Sequence, residues 1–277
     1  MSAVPAALAI QPAELDADLE RRFGGLRRLY GDAGYRRVRQ ARVAVVGLGG
    51  VGSWAVEALA RSGVARLVLI DLDQVAESNI NRQVQALGST VGLAKVEALR
   101  RRVADIHPGC EVFVVEEFAS PDNWPALLPA DVDVLIDACD QSAAKLALAA
   151  WALAQRLPAV CVGAAGGKQL AQAVEVADLA DASHDPLLAS LRQRLRKQGA
   201  PRSGRIGLTC VFSRENVAAP ADDDNCSLDG SLNCHGYGSS VTVTATFGLV
   251  AAGEALRLCR APSLAAVDVE PGPVFAV

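Results

Sequence analysis

No two cysteines of this chain form a CxxC pair, although there are seven, at positions 110, 139, 161, 210, 226, 234 and 259. An odd number of scattered thiols suits a reducing compartment, and it argues against a disulfide framework or a four-cysteine zinc site. Histidine is scarce: His107, His184 and His235 stand apart, with no spacing that suggests a metal site or a catalytic triad. Excess charge is missing too. A net −4 over 277 residues gives no global attraction to nucleic acid, so any RNA contact must come from a local patch. The segment from Met1 to Ile10 is Ala-rich without a basic leading region, and no secretory signal is expected there. The most apolar late stretch, Val241 to Leu258, carries Thr242, Thr244, Thr246 and Glu254. It reads as a buried helix rather than a stable membrane insertion. These absences predict a cytoplasmic protein.

What is present is enough apolar material for a large core, 51% of the chain. The chain is organised around Arg42 to Lys95. An apolar run, Val43 to Val46, feeds Gly47-Leu48-Gly49-Gly50-Val51-Gly52. A helical pattern follows, then a second apolar run, Leu67 to Ile70, ending in Asp71. Strand, glycine turn, helix, strand, acid is the order of a nucleotide-binding unit. Gly47 permits the tight turn, Gly49 lets a phosphate approach the backbone, and Gly52 lets the helix pack close to the strand. The free N–H groups of the first helical turn face an anion. Asp71 sits where a ribose hydroxyl needs an acceptor. A dehydrogenase is the usual owner of such a turn. Here, however, Asp71-Leu72-Asp73 leads into Ser78-Asn79-Ile80-Asn81-Arg82-Gln83, and Gly92-Leu93-Ala94-Lys95 opens the next helix. Asn79, Arg82 and Lys95 converging beyond the strand ends suit a triphosphate better than a dinucleotide, because such donors stabilise charge on a phosphate during transfer.

DLDxVxxSNxNRQ after a GxGGxG turn, with GxxK following, resembles the superfamily of ubiquitin-activating and sulfur-carrier-activating (ThiF/MoeB-like) enzymes, over about Arg22 to Leu258. RFGGxxRLYG near the start, then DPLxxxLRxRLRK and GxxCVFS, are similar to one branch, the tRNA threonylcarbamoyladenosine dehydratases. The resemblance implies adenylation of a carboxylate with ATP and Mg2+. It surrounds ATP with Gly47, Gly49, Gly52, Asp71 and Asp73, and with Asn79, Arg82, Gln83, Lys95 and Asp140. Arg82 and Lys95 would stabilise the phosphates, and Asp71 would bind the ribose. Asn79 would orient the phosphates, and Asp140 would hold the magnesium. The family's N-terminal arginine, which enters the partner subunit's ATP site, aligns with Gly25; Arg22 and Arg27 are the available substitutes. A homodimer is implied, as is a link to a cysteine desulfurase and its sulfur acceptor. Many sulfur-carrier activators hold zinc through two CxxC pairs, which this chain lacks.

Further along, Gly92 to Ile106 reads as a helix whose Arg100, Arg101 and Arg102 form a solvated face. Val112 to Val115 and Asp133 to Asp137 read as strands. Asp140 lies just past the second, in the crevice where parallel sheets bind ligands; an N-cap for the helix from Ser142 to Arg156 is its other reading. Asp137 reads as a structural acid. Leu157 to Gly163 reads as a fifth strand, followed by a flexible loop through Lys168. The helix after Asp185-Pro186 bears Arg192, Arg194, Arg196 and Lys197, with Arg202 and Arg205 beyond it. Arg192 and Arg196 share one face. A surface helix explains this patch, and a tRNA substrate would need one like it. Cys226 and Cys234 lie near an acidic loop, Asp222 to Asn225. A thioester role for Cys234 is the family's alternative to an incidental thiol, and ring closure within the substrate needs no such thioester.

The expected fold is one doubly wound, mostly parallel α/β sheet. Residues 1–20 are a flexible lead, 21–165 the nucleotide-binding part, 166–260 a substrate lobe and 261–277 a tail. Three functions stay open. The first is ATP-dependent cyclisation of N6-threonylcarbamoyladenosine in tRNA. The second is adenylation of the C-terminus of a ubiquitin-like sulfur carrier. The third is a non-catalytic nucleotide-binding scaffold for a desulfurase.

Overall fold

The computed structural model describes residues 12–129, 131–218 and 237–261. Alternate residues of β1 (Arg42–Val46) serve opposite faces of a central sheet. Val43 and Val45 pack with Ala55, Val56 and Leu59 of α3 (Gly52–Arg61), and with Val243, Phe247 and Ala251 of α7 (Val241–Arg260). Ala44 and Val46 pack with Leu148 and Ala152 of α5 (Ser142–Gln155). With both faces covered, the inner strands need no polar side. This is why β1, β2 (Arg66–Ile70) and β4 (Val134–Asp137) read as unbroken apolar runs.

The remaining elements follow in chain order. α1 (Pro12–Phe23) and α2 (Gly25–Gln40) precede β1, and α4 (Lys95–Ile106) leads to β3 (Glu111–Val115). After α5 come β5 (Ala159–Val162), β6 (Val174–Asp178), α6 (Pro186–Lys197), β7 (Thr209–Ser213) and α7. The seven strands lie in the order β3-β2-β1-β4-β5-β7-β6. All neighbours are parallel except β6 and β7. Strand order reverses direction between β1 and β4, and the crevice at their carboxyl ends is the natural ligand site of such a sheet.

Three sequence expectations change. Pro12 to Asp18 is not a loose lead but part of α1. Its Leu19 and Phe23 are buried, and Arg22 donates to the carbonyls of Asp105 and Ile106 at the end of α4. β6 and β7 were not foreseen as strands; they extend the same sheet, β6 as an antiparallel edge. The loop from Ala164 to Lys168 is anchored. Ala164 N–H donates to Asp185 Oδ2 (2.8 Å), and Lys168 Nζ donates to the carbonyls of His184, Ser213 and Glu215. The late apolar stretch forms α7, whose length and composition would suffice for a membrane span. It is instead seated on α3. A side chain at Gly248 would run into Val51 O and sit 2.8 Å from Trp54 Cβ, so only glycine allows this approach.

Candidate active site

The glycine turn is set by contact on both sides. Gly47 has φ +86°, and a Cβ there would lie 2.8 Å from Cys139 N, in the loop after β4. A Cβ on Gly52 would overlap Gly47 O, so α3 can start only where it does. Gly49, by contrast, faces open space, with nothing within 4 Å of where its Cβ would be. That is the geometry a phosphate approaching bare backbone requires.

Asp71, at the end of β2, is buried and bound to the turn. Its Oδ2 accepts from Leu48 N–H at 2.6 Å and its Oδ1 from Asp73 N–H at 2.9 Å. Burial pushes its carboxyl above the usual aspartate range, opposed by the charge of Lys95 and these two N–H donors. Asp71 therefore ties the glycine turn to the loop carrying Asp73, besides presenting an acceptor at the cleft wall. Lys95, the first residue of α4, is almost fully buried and donates from Nζ to Asp73 Oδ2 at 2.6 Å.

The segment after Asp73 makes a single 3-10 turn, Glu77–Asn79. Asn79 Oδ1 accepts from Ala76 N–H (3.1 Å), so only its NH2 end remains to face the cleft. Arg82 is held by Nη1, which donates to Ser78 O (2.7 Å) and Asn81 Oδ1 (2.9 Å). Among the described residues no carboxylate pairs with it, and its Nε is buried without a partner. A buried unpaired donor on a cation costs free energy unless an acceptor arrives. Gln83 accepts from Gln85 Nε2 (3.1 Å), which also donates to Leu48 O (3.0 Å), tying this segment to the turn.

These groups meet in one cleft of about 370 Å³ over the carboxyl ends of β1, β2, β4 and β5. Gly47, Gly49, Asp71, Asp73, Asn79, Arg82, Gln83, Lys95 and Asp140 all line it. Gly52 lies behind the wall as a packing residue. Asp140 is exposed, and no hydrogen bond or ion pair engages it among the described residues. The N-cap position of α5 belongs to Gln141, so capping is not its task. No cluster of three or more His, Cys, Asp or Glu side chains that could hold a metal forms among the described residues. A lone free carboxylate at the cleft rim fits an ion that takes most of its ligands from phosphate and water, as magnesium does.

Arg22 and Arg27 lie outside the cleft. Arg22 pairs with Asp18 (2.6 Å), and Arg27 with Glu20 (2.9 Å) and Asp32 (2.6 Å). Arg100 and Arg101 pair with Glu97 on a solvated helix face, but Arg102 does not share it: half-buried, it pairs with the buried Glu57 and ties α4 to α3. Cys226, Cys234, His235 and the acidic loop from Asp222 to Asn225 lie outside the described residues.

Two contributions were missed. Thr244, on α7, reaches the cleft beside Gly50 and Arg82. More telling is Lys145 of α5, fully buried beneath the site. Its Nζ donates to Asp137 Oδ2 (2.9 Å) and Val162 O (3.0 Å). Asp137 Oδ1 in turn accepts from Cys139 N–H (3.2 Å) and Cys139 Sγ (2.9 Å), which fixes the loop that presents Asp140. The Asp137 charge holds the Lys145 ammonium protonated against burial, and burial and the same carboxylate push the Cys139 thiol well up. One lysine in an otherwise Ala/Leu-rich helix is the signal that could have found this pair.

Residues 22–268 match the ThiF family. The chain is 42% identical to the tRNA threonylcarbamoyladenosine dehydratase of Escherichia coli (strain K12) over 247 residues, 85% of this chain and 92% of that protein. It is 40% identical to the protein of the same name from Haemophilus influenzae, over 84% of this chain and 90% of the relative. Among solved structures, the E. coli tRNA N6-threonylcarbamoyladenosine dehydratase, TcdA, in complex with ATP superposes with a TM-score of 0.78 at 39% identity. It covers 91% of this chain and 97% of its own. The AMP complex of that protein gives 0.79.

Proposed function

From the ThiF family, to which this chain belongs, we propose its activity: ATP-dependent cyclisation of N6-threonylcarbamoyladenosine in tRNA, a net dehydration through an acyl-adenylate. The observation that carries the reading is Arg82, a cleft-wall cation without a carboxylate partner and with a buried orphan N–H, facing the open backbone of the glycine turn.

The chemistry follows from the leaving group. A carboxylate is a poor electrophile because oxide must leave. Its oxygen attacks the α-phosphate of ATP, pyrophosphate departs, and the acid becomes an acyl-adenylate. The neighbouring carbamoyl oxygen then attacks the activated carbonyl with the effective molarity of an intramolecular reaction. AMP leaves carrying the former carboxylate oxygen, the ring closes, and the substrate has lost one water.

Arg82 and Lys95 stand where charge accumulates on the transferring phosphates, fixed before the reaction by Ser78 O, Asn81 and Asp73. Such preorganised donors act without reorganising at the transition state. Asp71 receives the ATP ribose, with Asp73 beside it, while Asn79 and Gln83 orient the phosphates. Asp140 is the residue that would hold Mg2+, which when bound neutralises phosphate charge. The substrate side is proposed to come from within residues 166–260, of which Thr244 on α7 borders the nucleotide cleft. A homodimer, and association with a cysteine desulfurase and its sulfur acceptor, rest on the family resemblance, and cytoplasmic placement on the tRNA substrate.

ATP–pyrophosphate exchange tests this reading. Exchange stimulated by tRNA carrying threonylcarbamoyladenosine is the expected result. Exchange stimulated only by a small protein ending in Gly-Gly would overturn it in favour of sulfur-carrier activation. ATP binding without exchange on either substrate would overturn it in favour of the scaffold.

A further inference from the structure

Helix α6 connects the cleft to a basic groove. Its first turn belongs to the site: Asp185 caps it, accepting from Leu188 N–H (2.9 Å), and Leu187 lines the cleft. Further along, α6 borders a groove lined by Ala189, Arg192, Gln193, Arg196, Lys197 and Arg202. Leu187 and Arg196 are nine residues, two and a half turns, apart, so Arg196 lies about 13.5 Å along the axis and on the opposite face of α6 from Leu187.

No acid lines this groove, and Arg194, Arg196, Lys197 and Arg202 have no carboxylate partner among the described residues. Arg100, Arg101, Arg102, Arg214 and Arg257 pair with carboxylates, whereas Arg28 and Arg36 on α2, like the groove cations, have no carboxylate partner among the described residues. In a chain of net charge −4, one groove lined by four cations and no acid concentrates positive charge. Part of it has a local reason. Arg192 donates to the carbonyls of Leu179 and Ala182, Arg194 to Ser142 O, and Arg196 Nε to Pro201 O (3.3 Å), so these three guanidinium groups also brace the fold. Cations in the last turn also complement the helix dipole. Neither reason covers Arg202, which lies beyond the helix, or the convergence of Arg196, Lys197 and Arg202 on one groove.

We infer that this groove is a docking track for the phosphate backbone of tRNA, with Arg196, Lys197 and Arg202 as its contacts. The inference rests on the tRNA reading of the cleft. Phosphate contacts position a nucleic acid without reading its sequence, which suits an enzyme whose specificity lies in the modified base.

The test measures tRNA affinity between about 50 and 200 mM salt, for the intact chain and for the triple variant Arg196→Gln/Lys197→Gln/Arg202→Gln. ATP affinity, measured alongside, reports that the variant is folded. The expected result is weaker tRNA binding at every salt concentration. The slope of log affinity against log salt falls by about three, one for each charge removed, with ATP binding retained. A variant that binds ATP and tRNA as the intact chain does, with the same slope, overturns the docking track and leaves the cyclisation reading standing. If the variant keeps tRNA affinity but loses retention on polyglutamate that the intact chain shows, the face belongs to an acidic protein, and the inference is overturned. If the intact chain binds no tRNA, both fall together. A variant that fails to bind ATP is replaced by Arg202→Gln alone, for which the expected fall in slope is about one.

Discussion

Lys95 Nζ lies 2.6 Å from Asp73 Oδ2, joining the start of α4 to the loop after β2 across the floor of the cleft. The two ends of this pair differ. The Lys95 side chain is 7% exposed, while Asp73 is half exposed. The ammonium has three donors and Asp73 takes one, so the carboxylate aims the lysine and leaves it capacity for phosphate oxygens. Replacing Lys95 with Ala should lower kcat for adenylate formation by about 10²–10³-fold, the range for losing one preorganised donor. Lys95→Arg should not restore it, since a planar fork cannot replace a compact point charge in this position. Pyrophosphate exchange at saturating ATP measures both. An unchanged kcat in Lys95→Ala would remove the residue from the reaction.

Asp140 is exposed and unpaired among the described residues, so it contributes little to folding. Asp140→Asn should change unfolding free energy by no more than about 0.5 kcal/mol. The same change should raise the magnesium concentration needed for half-maximal exchange. A titration with magnesium at fixed ATP, beside a urea melt, separates the two effects. A destabilised protein with an unaltered magnesium requirement would give Asp140 a structural task instead.

Lys145 and Asp137 behave in the opposite way. Both are buried, and removing one leaves the other charged and uncompensated. Lys145→Met should cost about 3–5 kcal/mol in a urea melt, and Lys145→Met/Asp137→Leu should recover a large part of that. A single variant within about 1 kcal/mol of the parent would mean that water reaches the pair.

His107 predicts a pH dependence. Burial, then the charges of Arg39 and Arg22, push its imidazolium down to about 4 from an ordinary 6.5. Its Nε2 accepts from Arg39 Nη1 (2.9 Å), and its ring packs against Phe23 at 4.7 Å. Folded His107 stays neutral where the unfolded chain binds a proton. Its contribution is therefore complete above 6.5 and is lost as pH falls toward 4. Melting temperatures across that window should fall less steeply in His107→Gln, which keeps an acceptor for Arg39 without titrating. Parallel curves would contradict this.

That the glycine turn and the residues after it would meet in one cleft was legible because the logic is local. The glycine turn, Asp71, the Asn79–Arg82 segment and Lys95 occupy one continuous stretch, and each needs only its neighbours to make chemical sense. Asp140 was legible from its place past an apolar strand. Lys145 was not, because its task depends on which face of α5 meets the sheet, and a lysine in a helix is ordinarily solvated. β6 escaped notice because VEVAD is a short, half-exposed edge with a partner from later in the chain. α1 was passed over because an Ala-rich lead shows no periodicity until Leu19 and Phe23 find Tyr35.

The most direct measurement is mass spectrometry of tRNA nucleosides after incubation with the protein, ATP and magnesium, under a work-up that spares the labile ring. The expected product is a threonylcarbamoyladenosine nucleoside lighter by one water, which disappears in Arg82→Ala and in Asp140→Ala. An unchanged nucleoside from a protein that still binds ATP would contradict the proposed cyclisation.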